Sequence, residues 1–172
     1  MAVLPALKYP HPILRAKSKP VLNIDEGIRR IIDDMTETMY ASPNCIGVAA
    51  PQVGYPLRLF VMDVSRKIGP KKNHGLIALI NPVLVYSEGE KVTREGCLSI
   101  PDFLGNVKRA RSVIVRGLNP AGEEVEIVSK GLEAIAMQHE IDHLDGILFI
   151  HRVSSLTTDL IRRKNPPRDL LP

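Results

Sequence analysis

Apolar residues at Ile28, Ile31, Ile32, Met35 and Met39 recur with the spacing of one helix face, so a helix with a buried stripe is predicted over about residues 25–40. Asn23, with Glu26 three positions on, reads as its capping box, and Ser42-Pro43-Asn44 as its stop. Upstream, Pro5, Pro10, Pro12 and Pro20 make residues 1–22 an extended arm laid on the core. Downstream the pattern becomes strand-like over residues 46–50, 57–64, 76–86, 91–99, 112–117 and 123–128. Gly69-Pro70, Asn73-His74-Gly75, Glu88-Gly89 and Asn119-Pro120-Ala121-Gly122 supply turns between them. A second helix is expected over residues 132–144, ended by Asp145-Gly146 with the glycine in the left-handed position. A short strand at 147–151 follows, then a C-terminal helix at about 154–164 stopped by Pro166-Pro167, with 153–172 as helix and tail. With no internal repeat and no long linker, residues 1–172 are expected to form one domain. Strands first and the histidine-bearing helix late predict an α+β fold, mostly antiparallel sheets packed around that helix.

Composition narrows the function. A content of 44% hydrophobic and 24% charged residues suits a folded globular chain. No apolar run approaches the roughly 20 residues of a membrane span, and the N-terminus lacks a basic segment followed by an apolar block, so a cytoplasmic protein with no membrane contact is expected. The net charge of +4 is too mild for nucleic acid, and four Tyr, three Phe and no Trp leave little for base stacking, so no specific DNA binding is expected. The basic clusters at Arg29-Arg30, Lys71-Lys72, residues 108–111 and Arg162-Arg163-Lys164 read as solvated faces. Cys45 and Cys97 are not expected to pair in a reducing compartment.

The candidate chemistry lies in Gln138-His139-Glu140-Ile141-Asp142-His143. Histidines four apart share one helix face and can reach one metal ion, while the intervening glutamate can act as a general base. Leu132, Ile135, Ala136, His139 and His143 continue one apolar stripe, so both imidazoles point into the core. Two core histidines satisfied by backbone carbonyls are the competing reading, and metal binding is favoured over it. A third ligand is required. His11, His74 and His151 have no special setting, whereas Cys97 lies between Gly96 and Pro101, where a strand should break. A Cys-His-His set with one open position is a catalytic layout.

Three segments together resemble the peptide deformylase family: Cys45-Ile46-Gly47-Val48-Ala49-Ala50-Pro51-Gln52, Glu95-Gly96-Cys97-Leu98-Ser99, and Gln138 through His143. The resemblance spans about residues 7–151, and its second and third segments match fully. It implies removal of the formyl group from N-formyl-methionyl nascent peptides. It makes Cys97, His139 and His143 the metal ligands, Glu140 the general base, and Gln52 and the Leu98 N–H the oxyanion donors. Ile46, Gly47, Glu95, Gly96, Leu132, Ile135 and Ala136 would bind the substrate. One divalent ion is implied, Fe2+ first, with Zn2+, Ni2+ or Co2+ able to occupy the site. Cys-His-His suits zinc equally, so iron comes from the resemblance alone. A weak ribosome contact through Arg162-Arg163-Lys164 is implied as well, which Pro166-Pro167 would cut short. Cys45 departs from the family's usual glycine and is expected to be packing. A zinc endopeptidase using the same helix, and a non-catalytic metal module with a closed site, are the rival readings.

Overall fold

The computed structural model describes residues 2–69, 73–164 and 166. Two antiparallel sheets and a central helix organise it. The first sheet runs in the order β1-β2-β3-β6-β7, built from Gly47–Ala49, Leu59–Met62, Ile77–Glu88, Ser112–Leu118 and Glu124–Lys130. The second runs β4-β5-β8, from Lys91–Cys97, Ile100–Arg109 and Leu160–Arg162. Helices α1 (Glu26–Ala41), the single turn α2 (Ser65–Ile68) and α3 (Gly131–Leu144) complete the labelled elements.

Strand β2 shows why its end of the first sheet is buried on both faces. All four of its residues are apolar and buried, and their side chains alternate in direction. Leu59 and Val61 join Ile32, Met35 and Met39 of α1, while Phe60 and Met62 join Ala134, Ala136, Met137 and Ile141 of α3. A third cluster, including Leu14, Cys97, Ile100, Val107 and Phe149, lies under the second sheet. α3 therefore has buried residues around most of its circumference, which is why its apolar stripe extends into residues such as Met137 and Leu144.

The α1 stripe and the α3 boundaries match expectation, and Gly146 is left-handed at φ 71°. Four expectations are corrected. The cap of α1 is Asp25, whose Oδ1 accepts the Ile28 N–H at 3.0 Å; it stands directly before the first helical residue, where a carboxylate also meets the helix dipole. Pro101 does not end a strand. β4 and β5 form a hairpin in which Cys97 pairs with Ile100 and Gly96 with Leu104, so residues 101–103 bulge and no ladder bond is asked of the proline. Residues 149–151 form a 3-10 turn rather than a strand, closed by the Leu148 N–H donating to His151 Nδ1 at 3.0 Å. Residues 154–164 are turns and strand β8, not a helix; Leu160 to Arg162 pair with Gly105 to Phe103 and cover the edge of β5. The Lys71-Lys72 cluster and Pro167 lie outside the described residues.

Residues 2–22 are mostly extended, with a turn at Tyr9-Pro10 and a 3-10 turn at Pro12–Arg15. The Leu7 N–H donates to the Gln52 carbonyl at 2.7 Å and the Tyr9 N–H to the Ser99 carbonyl at 2.9 Å. The arm thereby ties two site segments together.

Candidate metal centre

His139 and His143 project from successive turns of α3, and Cys97 ends β4 above them. Cys97 Sγ lies 3.2 Å from His143 Nε2, which lies 3.2 Å from His139 Nε2. Around a tetrahedral ion with ordinary bond lengths, two such nitrogens stand about 3.3 Å apart and sulfur and nitrogen about 3.6 Å. The three donor atoms thus fit one divalent ion. Among the described residues no fourth His, Cys, Asp or Glu joins them.

Neighbouring groups hold these donors in place. His139 Nδ1 faces Glu95 Oε2 at 2.8 Å, fixing the tautomer that presents Nε2. Glu95 is gripped by Arg109 through Nε at 2.7 Å and Nη2 at 2.9 Å, and Arg109 Nη1 reaches Asp142 at 2.6 Å. Asp142 also accepts from Arg152 at 2.6 Å. Glu95, expected beside the substrate, instead turns inward, because it alternates with Gly96 along β4 and shares the face of Cys97. Arg109 likewise is no solvated cation: it is 5% exposed, while its neighbour Lys108 faces water and pairs with Glu90.

The electrostatics follow from these contacts. Burial pushes the Glu95 carboxyl up, but the Arg109 bonds and His139 outweigh it and set its pKa to about 2. Burial opposes ionisation of Cys97 too, yet the His143 and His139 rings hold its thiol well below the ordinary value. That favours the thiolate, the form that ligates metal. Glu140 behaves oppositely: burial raises it to about 7 against the pull of both histidines. A carboxylate poised there suits proton transfer near neutral pH. Its Oε2 is buried without a hydrogen-bond partner, and a Cβ at Gly47 would collide with its Oε1. Gly47 is therefore a requirement of the Glu140 side chain.

Gln52 is 2% exposed, on the 3-10 turn Ala50–Val53. Its Oε1 accepts the Ala49 N–H at 2.9 Å, and its Nε2 donates to Cys97 Sγ and Ser99 Oγ, each at 3.2 Å. Leu98 occupies the β4–β5 turn, and its carbonyl accepts from Lys8 Nζ at 3.0 Å. Ile46, Leu132 and Ala136 pack together in the α3 cluster, and Ile135 is buried one turn before His139. Cys45 is buried against α1, donates to the Gly47 carbonyl at 3.1 Å, and burial pushes its thiol up to about 12.

A family model described as "Polypeptide deformylase" matches residues 3–159. The chain belongs to this family. Peptide deformylases of Syntrophobacter fumaroxidans and Thermodesulfovibrio yellowstonii are 52% and 49% identical to it, each over 95% of this chain and 94% and 97% of the relative. The solved deformylase of Legionella pneumophila superposes with a TM-score of 0.81 at 43% identity, covering 90% of this chain and 88% of that one. An Ehrlichia chaffeensis deformylase, solved in complex with actinonin, superposes with a TM-score of 0.84 at 36% identity, covering 91% of this chain and 92% of that one. The chain is an enzyme of this metal-dependent family, which removes the N-formyl group from nascent peptides. No described helix is long and apolar enough to cross a membrane.

Two partners were missed from sequence. Ser99 had a signal, since it ends the Glu-Gly-Cys-Leu-Ser segment. Arg109 had none, because only the β4–β5 pairing brings it beside Glu95.

Proposed function

We propose that Cys97, His139 and His143 hold one divalent ion, Fe2+ in the cell, and that Glu140 is the general base of deformylation. The convergence of the three donor atoms beside the unpartnered Glu140 carboxylate carries this reading. When bound, the ion would acidify water and polarise the formyl carbonyl. Glu140 takes a proton from the attacking water and delivers it to the leaving amine, giving formate and a free N-terminus. The Gln52 Nε2 donor and the Leu98 N–H meet the oxyanion as it forms; one such donor is worth about 3–4 kcal/mol. Ile46, Leu132, Ile135 and Ala136 take the methionine side chain. Gly47 and Gly96 sit on the terminal strands β1 and β4, and a peptide bonds to their backbones as an added strand.

The enzyme works in the cytoplasm, and Arg162 and Lys164, both exposed, provide a salt-sensitive ribosome contact. Co-sedimentation with ribosomes that does not weaken with salt, or is absent, removes that contact. The central test is anaerobic purification with metal analysis, and formate release from formyl-Met-peptide before and after chelation. Iron content with chelator-sensitive formate release is expected. Cleavage of internal peptide bonds instead would favour the endopeptidase.

A further inference from the structure

Strand β4 ends its sheet, so among the described residues its outer edge carries no partner strand, and Gly96 lies on it directly before Cys97, the proposed ligand. Glu95 and Cys97 turn their side chains inward toward α3. By alternation the Gly96 position faces the opposite, outer side. That side is occupied. A Cβ at Gly96 would run into the Arg163 guanidinium and come within 3.0 Å of Leu104 Cδ2. Arg163 follows β8, and its backbone N–H donates to the Asp102 carbonyl at 2.7 Å. This anchor fixes the side chain across the bulge and over Gly96.

Arg163 is incompletely satisfied. Its Nε is buried and has no hydrogen-bond partner, and no carboxylate among the described residues pairs with it. A guanidinium held in a half-buried place without a counter-charge among the described residues is suited to an anion brought from outside.

We propose that Arg163 is a specificity-determining residue that reads the side chain following the formyl-methionine and favours a carboxylate there. This rests on the deformylase site assigned above. When the methionine side chain turns inward to its apolar slot, the next side chain of an added strand turns outward. Neighbouring strands stand about 4.8 Å apart, which brings that outward side chain within reach of a guanidinium lying over Gly96. Aspartate or glutamate there forms a charge-assisted pair, whereas lysine meets a like charge.

The test compares kcat/KM for formyl-Met-Asp-Ser and formyl-Met-Lys-Ser at low salt. The ratio is taken within each protein, so any change in overall activity or folded fraction cancels. The wild-type ratio is expected to favour aspartate by about fivefold and to shrink on adding salt. In Arg163→Gln it should fall to near one, and Arg163→Lys should keep part of it. A wild-type ratio near one, or a preference for aspartate that survives in Arg163→Gln, overturns the proposal while leaving the deformylase reading intact. Failure to release formate from either peptide in the wild type defeats that reading, and this one with it.

Discussion

At the scale of single residues, the role proposed for Glu140 requires that its carboxylate be free to change partners. Its carboxylate sits against Gly47, one oxygen has no hydrogen bond, and burial has raised its pKa to about 7. Among the described residues none takes Oε2 as a hydrogen-bond partner, so its burial is a cost that chemistry must explain. Glu140→Ala should therefore leave metal content unchanged while lowering formate release by at least about a hundredfold. Metal analysis and a formate assay on the same preparation check this. Turnover close to wild type would remove Glu140 from the reaction. Tyr40 offers a purely structural counterpart. Its hydroxyl donates to Asp63 Oδ2 at 2.7 Å, and Asp63 Oδ1 accepts the Ser65 N–H at 2.8 Å. Burial opposes the Asp63 charge, but these bonds prevail and its pKa lies below the ordinary 3.8. A lowered carboxyl pKa stabilises the fold above the unfolded value, and that stability is lost as the pH falls through the folded value. Tyr40→Phe should cost about 1 kcal/mol at pH 7, and the difference should shrink below pH 3.8 as Asp63 protonates. Urea unfolding of both proteins across pH measures it; a difference constant with pH would mean the bond does not act through the carboxylate.

At the scale of elements, Arg109 joins three of them. From β5 it holds Glu95 on β4 and Asp142 on α3, with its side chain 4% exposed. Removing it leaves Glu95 buried without its guanidinium and Asp142 with Arg152 alone. Arg109→Ala should destabilise the protein by about 3–5 kcal/mol. It should also loosen His139, which Glu95 orients, so metal affinity should fall as well. Thermal unfolding and a metal-competition titration read the two effects separately; a stable variant with weakened metal binding would mean that the network only orients the ligand. The same network shows what sequence can carry. α3 was legible because its apolar stripe and both histidines lie within one contiguous segment, where helical spacing alone decides which residues share a face. Cys97 was legible through Gly96 and Pro101 on either side. Arg109 was not, since it sat in a run of basic residues and only the hairpin register turns it inward. The hairpin was hidden by Pro101, which breaks a regular ladder but fits a bulge. The sequence around β8 predicts a helix because nothing local in Leu160 and Ile161 states that β5 has an open edge to cover.

At the scale of the whole molecule, the metal centre sits where separate pieces meet: the arm through Leu7 and Tyr9, the Gln52 turn, β4 and α3. Leu7 of the arm and Cys97 of β4 share one core cluster, Ala50 and Val53 of the Gln52 turn belong to a second and α3 to a third, so the donor atoms are brought together by the complete fold and not by any one element. The unfolded chain retains only the two histidines at close spacing and loses Cys97 from the set. An ion that binds the folded form far better than the unfolded one stabilises it by mass action. At about a thousandfold excess over Kd this amounts to roughly 4 kcal/mol. For a protein of this size each kcal/mol moves Tm by about 2–4 °C. Chelation should then lower Tm by about 10 °C, and readdition of Fe2+ or Zn2+ should restore it. Cys97→Ser should begin near the chelated value and respond weakly to added metal, because a hydroxyl is a poor replacement for a thiolate. Scanning calorimetry under anaerobic conditions decides the matter. An unchanged Tm on chelation, with metal loss verified, would show that the ion does not couple these segments and that the site is preformed without it.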